Sequence, residues 1–270
     1  MSGHTEAATG LVFHELSHEW GHGVPSLPGF PDVTLYRSVK HAQHGVMAHR
    51  IKTVLHTGTH LNAPLHLIQK AIGVGELAME RLFGNGVILS IPKGQWELVT
   101  AADLEPHADR ILPGALVIIV TGWHEKYSES LEYFGDAPGL SVDAAEWLVE
   151  KDVGLVGVDT PQVDHPLATS LGPNRGGPTM NRLTQKYIDE TGKDPKQEHP
   201  VWNGAHKVLL AAGIPTIEQV GGDVNDVLGK GALIHALPHW KFDGGDACPV
   251  RLVAINDPGG KNRIEPGNTD

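Results

Sequence analysis

Apolar and polar positions divide the chain into short extended runs, separated by Gly- and Pro-rich breaks, with a few stretches of helical spacing. Leu11 to Leu16 predicts a first strand, and Val33 to Tyr36 and Val46 to Val54 predict two more beside the candidate site. Leu65 to Ile68 reads as extended. Gly86 to Ile91 and Gly154 to Thr160 read as buried strands. Ala115 to Thr121 is the most apolar run, and a strand covered on both faces has no polar side, so it predicts the centre of a sheet. Ile214 to Val220, Gly231 to Leu237 and a run ending at Ile255 complete the strands. Helical spacing marks Glu76 to Phe83, Asp143 to Lys151 behind a Ser141 cap, Leu183 to Glu190, and Asn203 to Ala212 with Gly213 as its stop. Thr100-Ala-Ala-Asp103 has the form of a capping box. Residues 1–10 predict a frayed arm, and Gly23 to Pro31 can only be a loop. The polar connection over about 165–200 is long for the interior of a domain, which predicts a lid or a subunit-contacting arm. Arg175 in its Gly-rich turn is a candidate anion clamp.

One stretch breaks this pattern, His56-Thr-Gly-Thr-His60-Leu-Asn62-Ala-Pro-Leu-His66. Gly58 and Pro64 oppose a helix, and Thr57 and Thr59 are β-branched. His56, His60, Asn62 and His66 all fall at even positions, so in an extended chain their side chains share a face. A single histidine is usually just a satisfied polar group. Four donors on one face around Gly-Thr instead predict a metal site, since Zn²⁺ or Mn²⁺ needs at least three converging donors. His41, His44 and His49 have no such spacing and read as surface groups or outer partners of the site. Trp20 and Phe30 are candidate apolar walls, with anchoring to the core as the alternative. Trp123 and His124 end the most apolar strand and are assigned mainly structural duty. Asp159 and Asp164 either orient ligand imidazoles or satisfy turn amides.

Composition narrows the partners. Of 270 residues, 40% are hydrophobic and 20% charged, which suits one globular domain over 1–270. A net charge of -11 makes the chain a poor candidate for binding nucleic acid or an anionic membrane, which requires a basic patch. Cys248 is the lone cysteine, so no intrachain disulfide forms. The first residues lack the basic start and apolar run of a signal peptide, and no apolar run is long enough to cross a membrane. A cytoplasmic protein is expected.

The His56–His66 stretch resembles the signature of the cyclase-family metal hydrolases, His-x-Gly-Thr-His-x-Asp-x-Pro-x-His, a family that includes kynurenine formamidases and isatin hydrolases. The match holds at His56, Gly58, Thr59, His60, Pro64 and His66, and fails at Asn62, where the family has Asp. The family also opens with a strand, a Ser-His-like pair and a Pro-x-x-Pro-Gly loop over the substrate, as around Ser17 to Gly29. Kynurenine formamidases carry Trp just before that Pro-Gly, where this chain has Leu27. Gly157-Val-Asp-Thr-x-x-x-Asp164, the run from Ala205-His206 to Glu218, and Gly-Gly-Asp246-x-x-Pro-Val-Arg251 resemble later family segments. The resemblance thus spans about Leu11 to Ile255. It implies an α/β fold of the swivelling β/β/α type, with a mixed central sheet and flanking helices, and homo-oligomers (dimer or tetramer).

By the same resemblance, His56, His60 and Asn62 bind one ion, His206 and Glu218 complete the metal site, and His66 is the general acid/base. Leu27, Trp20 and Phe30 would face substrate. Metal-bound hydroxide would attack a small amide, cyclic amide or imide, or lactone. Asn62 modifies that expectation, because a neutral carboxamide seldom bridges two ions. Three readings follow: a mononuclear Zn²⁺ or Mn²⁺ hydrolase, a variant tuned to another substrate, or a ligand-binding relative with weak or no turnover.

Overall fold

The computed structural model describes residues 3–173 and 178–260. Its strands are β1 (His4–Thr5), β2 (Val12–Glu15), β3 (Thr34–Val39), β4 (Ala48–Lys52), β5 (His60–Asn62), β6 (Phe83–Ser90), β7 (Leu98–Val99), β8 (Leu116–Val120), β9 (Gly139–Leu140), β10 (Leu155–Val158), β11 (Thr216–Glu218), β12 (Gly231–His235), β13 (Ala247–Pro249) and β14 (Val253–Asn256). Ten of them form one sheet in the order β1-β2-β14-β12-β6-β8-β10-β11-β5-β13. Its centre, β6-β8-β10-β11, is parallel, and every pair outside that centre is antiparallel. This is the α/β arrangement with a mixed central sheet that was expected.

β8 lies between β6 and β10, parallel to both, which accounts for its Leu-Val-Ile-Ile-Val sequence. Its side chains alternate between two cores. Val117 and Ile119 meet the helices Val142–Glu150 and Gly204–Ala211 through Ala144, Ala145, Leu148, Ala205 and Leu209. Leu116, Ile118 and Val120 face the other side, with Leu16, Leu61, Ile217, Ile234 and Leu252. There the sheet curls. Leu16 N donates to Leu252 O (2.8 Å), and Gly221 N donates to Leu16 O (2.9 Å), which joins the end of β2 to the end of β11.

Several local readings hold. Ser141 Oγ accepts from Ala144 N, Thr100 and Asp103 form the capping box, and Gly213 sits at φ 77° after the helix Gly204–Ala211. Others need correction. Glu76 to Phe83 is not a helix but single turns at Val74–Glu76 and Met79–Arg81, and Phe83 already belongs to β6, paired with His235. Tertiary pairing overrides helical spacing in so short a segment. Leu65 to Ile68 is not extended: Pro64 opens a 3₁₀ turn through His66, a position that suits its fixed φ. Among the described residues, β3 and β4 pair only with each other, as an exposed ribbon apart from the main sheet. His41 and His44 lie near its tip in a short exposed helix. Within 165–200, the helix Pro178–Thr191 packs Leu183 and Tyr187 into a third core with Leu27, Trp123, Tyr133 and Phe134. Arg175 lies outside the described residues.

Candidate metal centre

β5 is the shortest part of the motif and also its anchor. It lies between β11 and β13, with His60 opposite Glu218, Leu61 opposite Ile217 and Asn62 opposite Thr216. Opposed residues on adjacent strands share a face. His60, Asn62, Thr216 and Glu218 therefore point one way, and Leu61 and Ile217 enter the core on the other. Even-position alternation explains only His60 and Asn62. His56 arrives from an irregular turn whose Gly58 has φ 64°, and His66 from the 3₁₀ turn. The helix Gly204–Ala211 adds His206, and Asp164 fixes its first turn by accepting from Ala205 N (2.8 Å) and His206 N (3.1 Å).

These elements enclose a cavity of about 280 Å³ lined by His56, His60, His66, His206 and Glu218, with Leu27, Phe30 and Trp202 among its apolar walls. Ring centroids lie 5.3 Å apart for His56 and His60, 4.2 Å for His56 and His66, and 5.5 Å for His66 and His206. His60 Nδ1 faces Gly58 O at 2.8 Å, so it carries the proton and Nε2 presents a lone pair. That Nε2 is buried without a hydrogen-bond partner and lies 3.1 Å from Glu218 Oε2. His206 Nδ1 lies 3.7 Å from Glu218 Oε1, and its Nε2 lies 2.8 Å from Thr216 Oγ1. Burial would raise the Glu218 carboxyl, but the facing His60 ring, followed by His206, outweighs it and brings it to about 2. Burial lowers His206 to about 3, which keeps its imidazole neutral, the form that ligates. A buried carboxylate facing an orphaned imidazole lone pair is a donor set that fits a divalent cation.

Asn62 is fully buried and does not line the cavity. Its Oδ1 lies 2.8 Å from His56 Nδ1, and its Nδ2 donates to Thr216 Oγ1 at 3.4 Å. The carboxylate next to His56 comes from elsewhere. Asp246 Oδ2 lies 2.8 Å from His56 Nε2 and 3.4 Å from His66 Nδ1. The facing rings of His56 and His66 hold the Asp246 carboxyl well below the usual carboxylate range. His56, His66 and Asp246 form a tight donor group, with one atom of each within 4.8 Å of the others.

Trp20 lines a neighbouring cavity rather than this one, with His18, Thr59 and Trp240. Its indole donates to Thr57 O (3.1 Å) and backs onto Gly58. Leu27 and Phe30 do line the site. Asp159 serves the end of β8: it accepts from Thr121 and Gly122 and meets His124 Nδ1 at 3.0 Å, and no motif histidine touches it. Trp123 is tied to Tyr133 O. Sequence reasoning missed Asp246, Thr216, Trp202 and two residues in the left-handed region near His206 and Glu218, Asn203 (φ 49°) and Gln219 (φ 60°). The Gly-Gly-Asp turn was the one signal for Asp246, and it gave no hint of where that side chain lies.

The family model described as putative cyclase matches residues 14–165. A kynurenine formamidase of Bacillus cereus is 32% identical over 111 residues, 41% of this chain and 49% of that one. The chain thus matches about half the length of that relative. An uncharacterised protein of Haemophilus influenzae is 30% identical over 105 residues, 38% of this chain and 74% of that one. Among solved structures, isatin hydrolase A from Ralstonia solanacearum superposes with a TM-score of 0.71 at 20% identity, covering 91% of this chain and 92% of that one.

Proposed function

We propose, because this chain belongs to the cyclase family, that it is a metal-dependent hydrolase of a small amide, cyclic amide or imide, or lactone. One observation carries the reading: imidazoles and a carboxylate from two distant segments, His56 to His66 and His206 to Glu218, line the same small cavity. His56, His60, His206 and Glu218 would hold Zn²⁺ or Mn²⁺, the ions that imidazole and carboxylate donors suit. A bound divalent ion supplies Lewis acidity and brings the pKa of its water to about 7. His66 is partly exposed at the cavity and beside the other rings, and would protonate the departing nitrogen or oxygen. Leu27, Phe30 and Trp202 would exclude water and seat a small, flat apolar group. The names of the relatives, a kynurenine formamidase and an isatin hydrolase, support C–N bonds as the first class to assay.

The test is hydrolysis of a formamide, a cyclic imide and a lactone by chain stripped with chelator and reloaded with Zn²⁺ or Mn²⁺. The expected result is activity on at least one substrate that disappears on stripping and returns on reloading. A chain that binds neither ion overturns the reading. A chain that binds the ion and the compounds without turnover supports the second reading, a ligand-binding relative, which the neutral side chain of Asn62 favours. We also propose a homo-oligomer. The exposed ribbon region presents Val46, Met47 and Ile51 to solvent, apolar side chains that a second copy would cover. Light scattering at the 29.0 kDa monomer mass would refute it. A cytoplasmic location is likewise a proposal; among the described residues, no helix is long and apolar enough to cross a membrane.

A further inference from the structure

His56 stands between two oxygens that only accept. Asn62 Oδ1 lies 2.8 Å from its Nδ1, and Asp246 Oδ2 lies 2.8 Å from its Nε2. The Asn62 amide is oriented by its own Nδ2, which donates to Thr216 Oγ1. A neutral imidazole has one N–H, so it can serve only one of these two oxygens. The other nitrogen is then a lone pair facing an oxygen lone pair. Three arrangements satisfy both: a second proton on His56, a turned Asn62 amide that donates to Nδ1, or a cation held by Nε2 and the carboxylate. The cation matches the surroundings, because His66 Nδ1 also points at Asp246 Oδ2 from 3.4 Å, and one donor atom of each of His56, His66 and Asp246 lies within 4.8 Å of the others.

The backbone keeps Asp246 in this place. Ala247 pairs with Asn62 across β13 and β5, and Ala63 N donates to Asp246 O (2.9 Å). Val74 N donates to Gly245 O (2.8 Å), and a Cβ at Gly73 would meet that same oxygen at 2.8 Å, so the Gly-Gly-Asp turn is docked directly on the segment after the motif. The side chain of Asp246 therefore approaches the site from the strand opposite Asn62.

We propose that Asp246 supplies the metal-ligating carboxylate that position 62 lacks, while Asn62 has become the group that sets the tautomer of His56. This rests on the metal-hydrolase reading and changes its ligand set: the anionic donor beside His56 comes from the C-terminal strand pair, and His66 lies within reach of the same oxygen. An outer-sphere amide on a ligand imidazole is a common way of fixing which nitrogen ligates.

The test is calorimetric titration of chelator-stripped chain with Zn²⁺ and Co²⁺, together with the visible spectrum of the Co²⁺ form, for wild type, Asp246→Asn, Asn62→Asp and the double variant. Asp246 is nearly half exposed, so Asp246→Asn leaves the core intact, and far-ultraviolet circular dichroism checks this. Affinity should fall at least about 100-fold in Asp246→Asn, beyond the range expected from losing an outer partner alone. Moving the carboxylate back, in Asn62→Asp with Asp246→Asn, should recover about tenfold or more and alter the Co²⁺ spectrum. Asp246→Asn binding within about threefold of wild type overturns this inference and leaves the hydrolase reading standing. A large loss in Asp246→Asn with no recovery in the double variant also overturns it, since Asp246 would then act only on ring orientation. A wild-type chain that binds neither ion overturns both.

Discussion

Replacing Gly58 by Ala tests the local architecture of the motif without touching a proposed metal ligand. Gly58 has φ 64°, and holding a residue with a Cβ in that region costs about 1 kcal/mol. The new methyl would also lie 2.7 Å from Trp20 Cδ1, closer than real carbons approach, so the indole has to move. Trp20 Nε1 donates to Thr57 O, and losing that bond adds about 1 kcal/mol. The expected loss is thus about 2 kcal/mol, a large share of the stability of an ordinary domain. Gly58 O also accepts from His60 Nδ1 at 2.8 Å, so moving this peptide turns the His60 ring. Urea unfolding of stripped chain should show a lower midpoint at unchanged slope, and Zn²⁺ affinity should fall as well. A double-mutant cycle with Trp20→Leu separates the two contributions. Shortening the indole should remove the clash, so Gly58→Ala should cost about 1 kcal/mol less in the Trp20→Leu background. A loss below about 0.5 kcal/mol for Gly58→Ala alone would refute the strain argument.

Three other outcomes are expected. Thr216→Val keeps the shape but removes the oxygen between His206 Nε2 and Asn62 Nδ2; it should cost about 2 kcal/mol in unfolding and weaken Zn²⁺ binding, both read by urea titration with and without metal. Acidification should destabilise the fold: burial lowers His18 to about 4, with His124 adding to it, and burial also lowers His14, His165 and His199. On these groups the unfolded chain then binds more protons between about pH 6.5 and 4, so their contribution is full above 6.5 and is lost as pH falls, by up to about 3 kcal/mol for His18 alone. Asp164, raised to about 7 by burial, opposes this in the same window, and the several lowered histidines, His206 among them, outweigh it. Urea midpoints at pH 7.5 and 5 read this, and a flat profile contradicts it. Stripping metal should lower the melting temperature, because an ion at 100 times its dissociation constant stabilises the fold by about 2.7 kcal/mol, and reloading should restore it.

The sequence showed most clearly what depends on near neighbours. The apolar run of β8, the Ser141 and Thr100 caps and the Gly213 stop are local signals, and each stands where expected. Cyclase-family resemblance and the mixed α/β sheet were legible too. Glu76 to Phe83 failed because pairing of Phe83 with His235 is invisible from eight residues. His206 and Glu218 drew notice only through resemblance, since a lone His on an apolar helix face is usually structural. Thr216 had no pattern at all, and the Gly-Gly-Asp turn marked Asp246 without placing it: both meet the motif through strand register, between segments more than 150 positions apart. An aromatic in a loop leaves two readings for Trp20, a wall of the site or an anchor, and the structure places it over Gly58.

The placement of β5 between β11 and β13 also bears on the order of events in synthesis. Both neighbours of the motif leave the ribosome long after it does. A nascent chain carrying the three motif histidines has no partner strand for them, and closing such large loops makes β pairing slow. The proposed metal site can therefore form only after Pro249 has emerged. A chain released before Thr216 keeps the signature but lacks the strands that flank it.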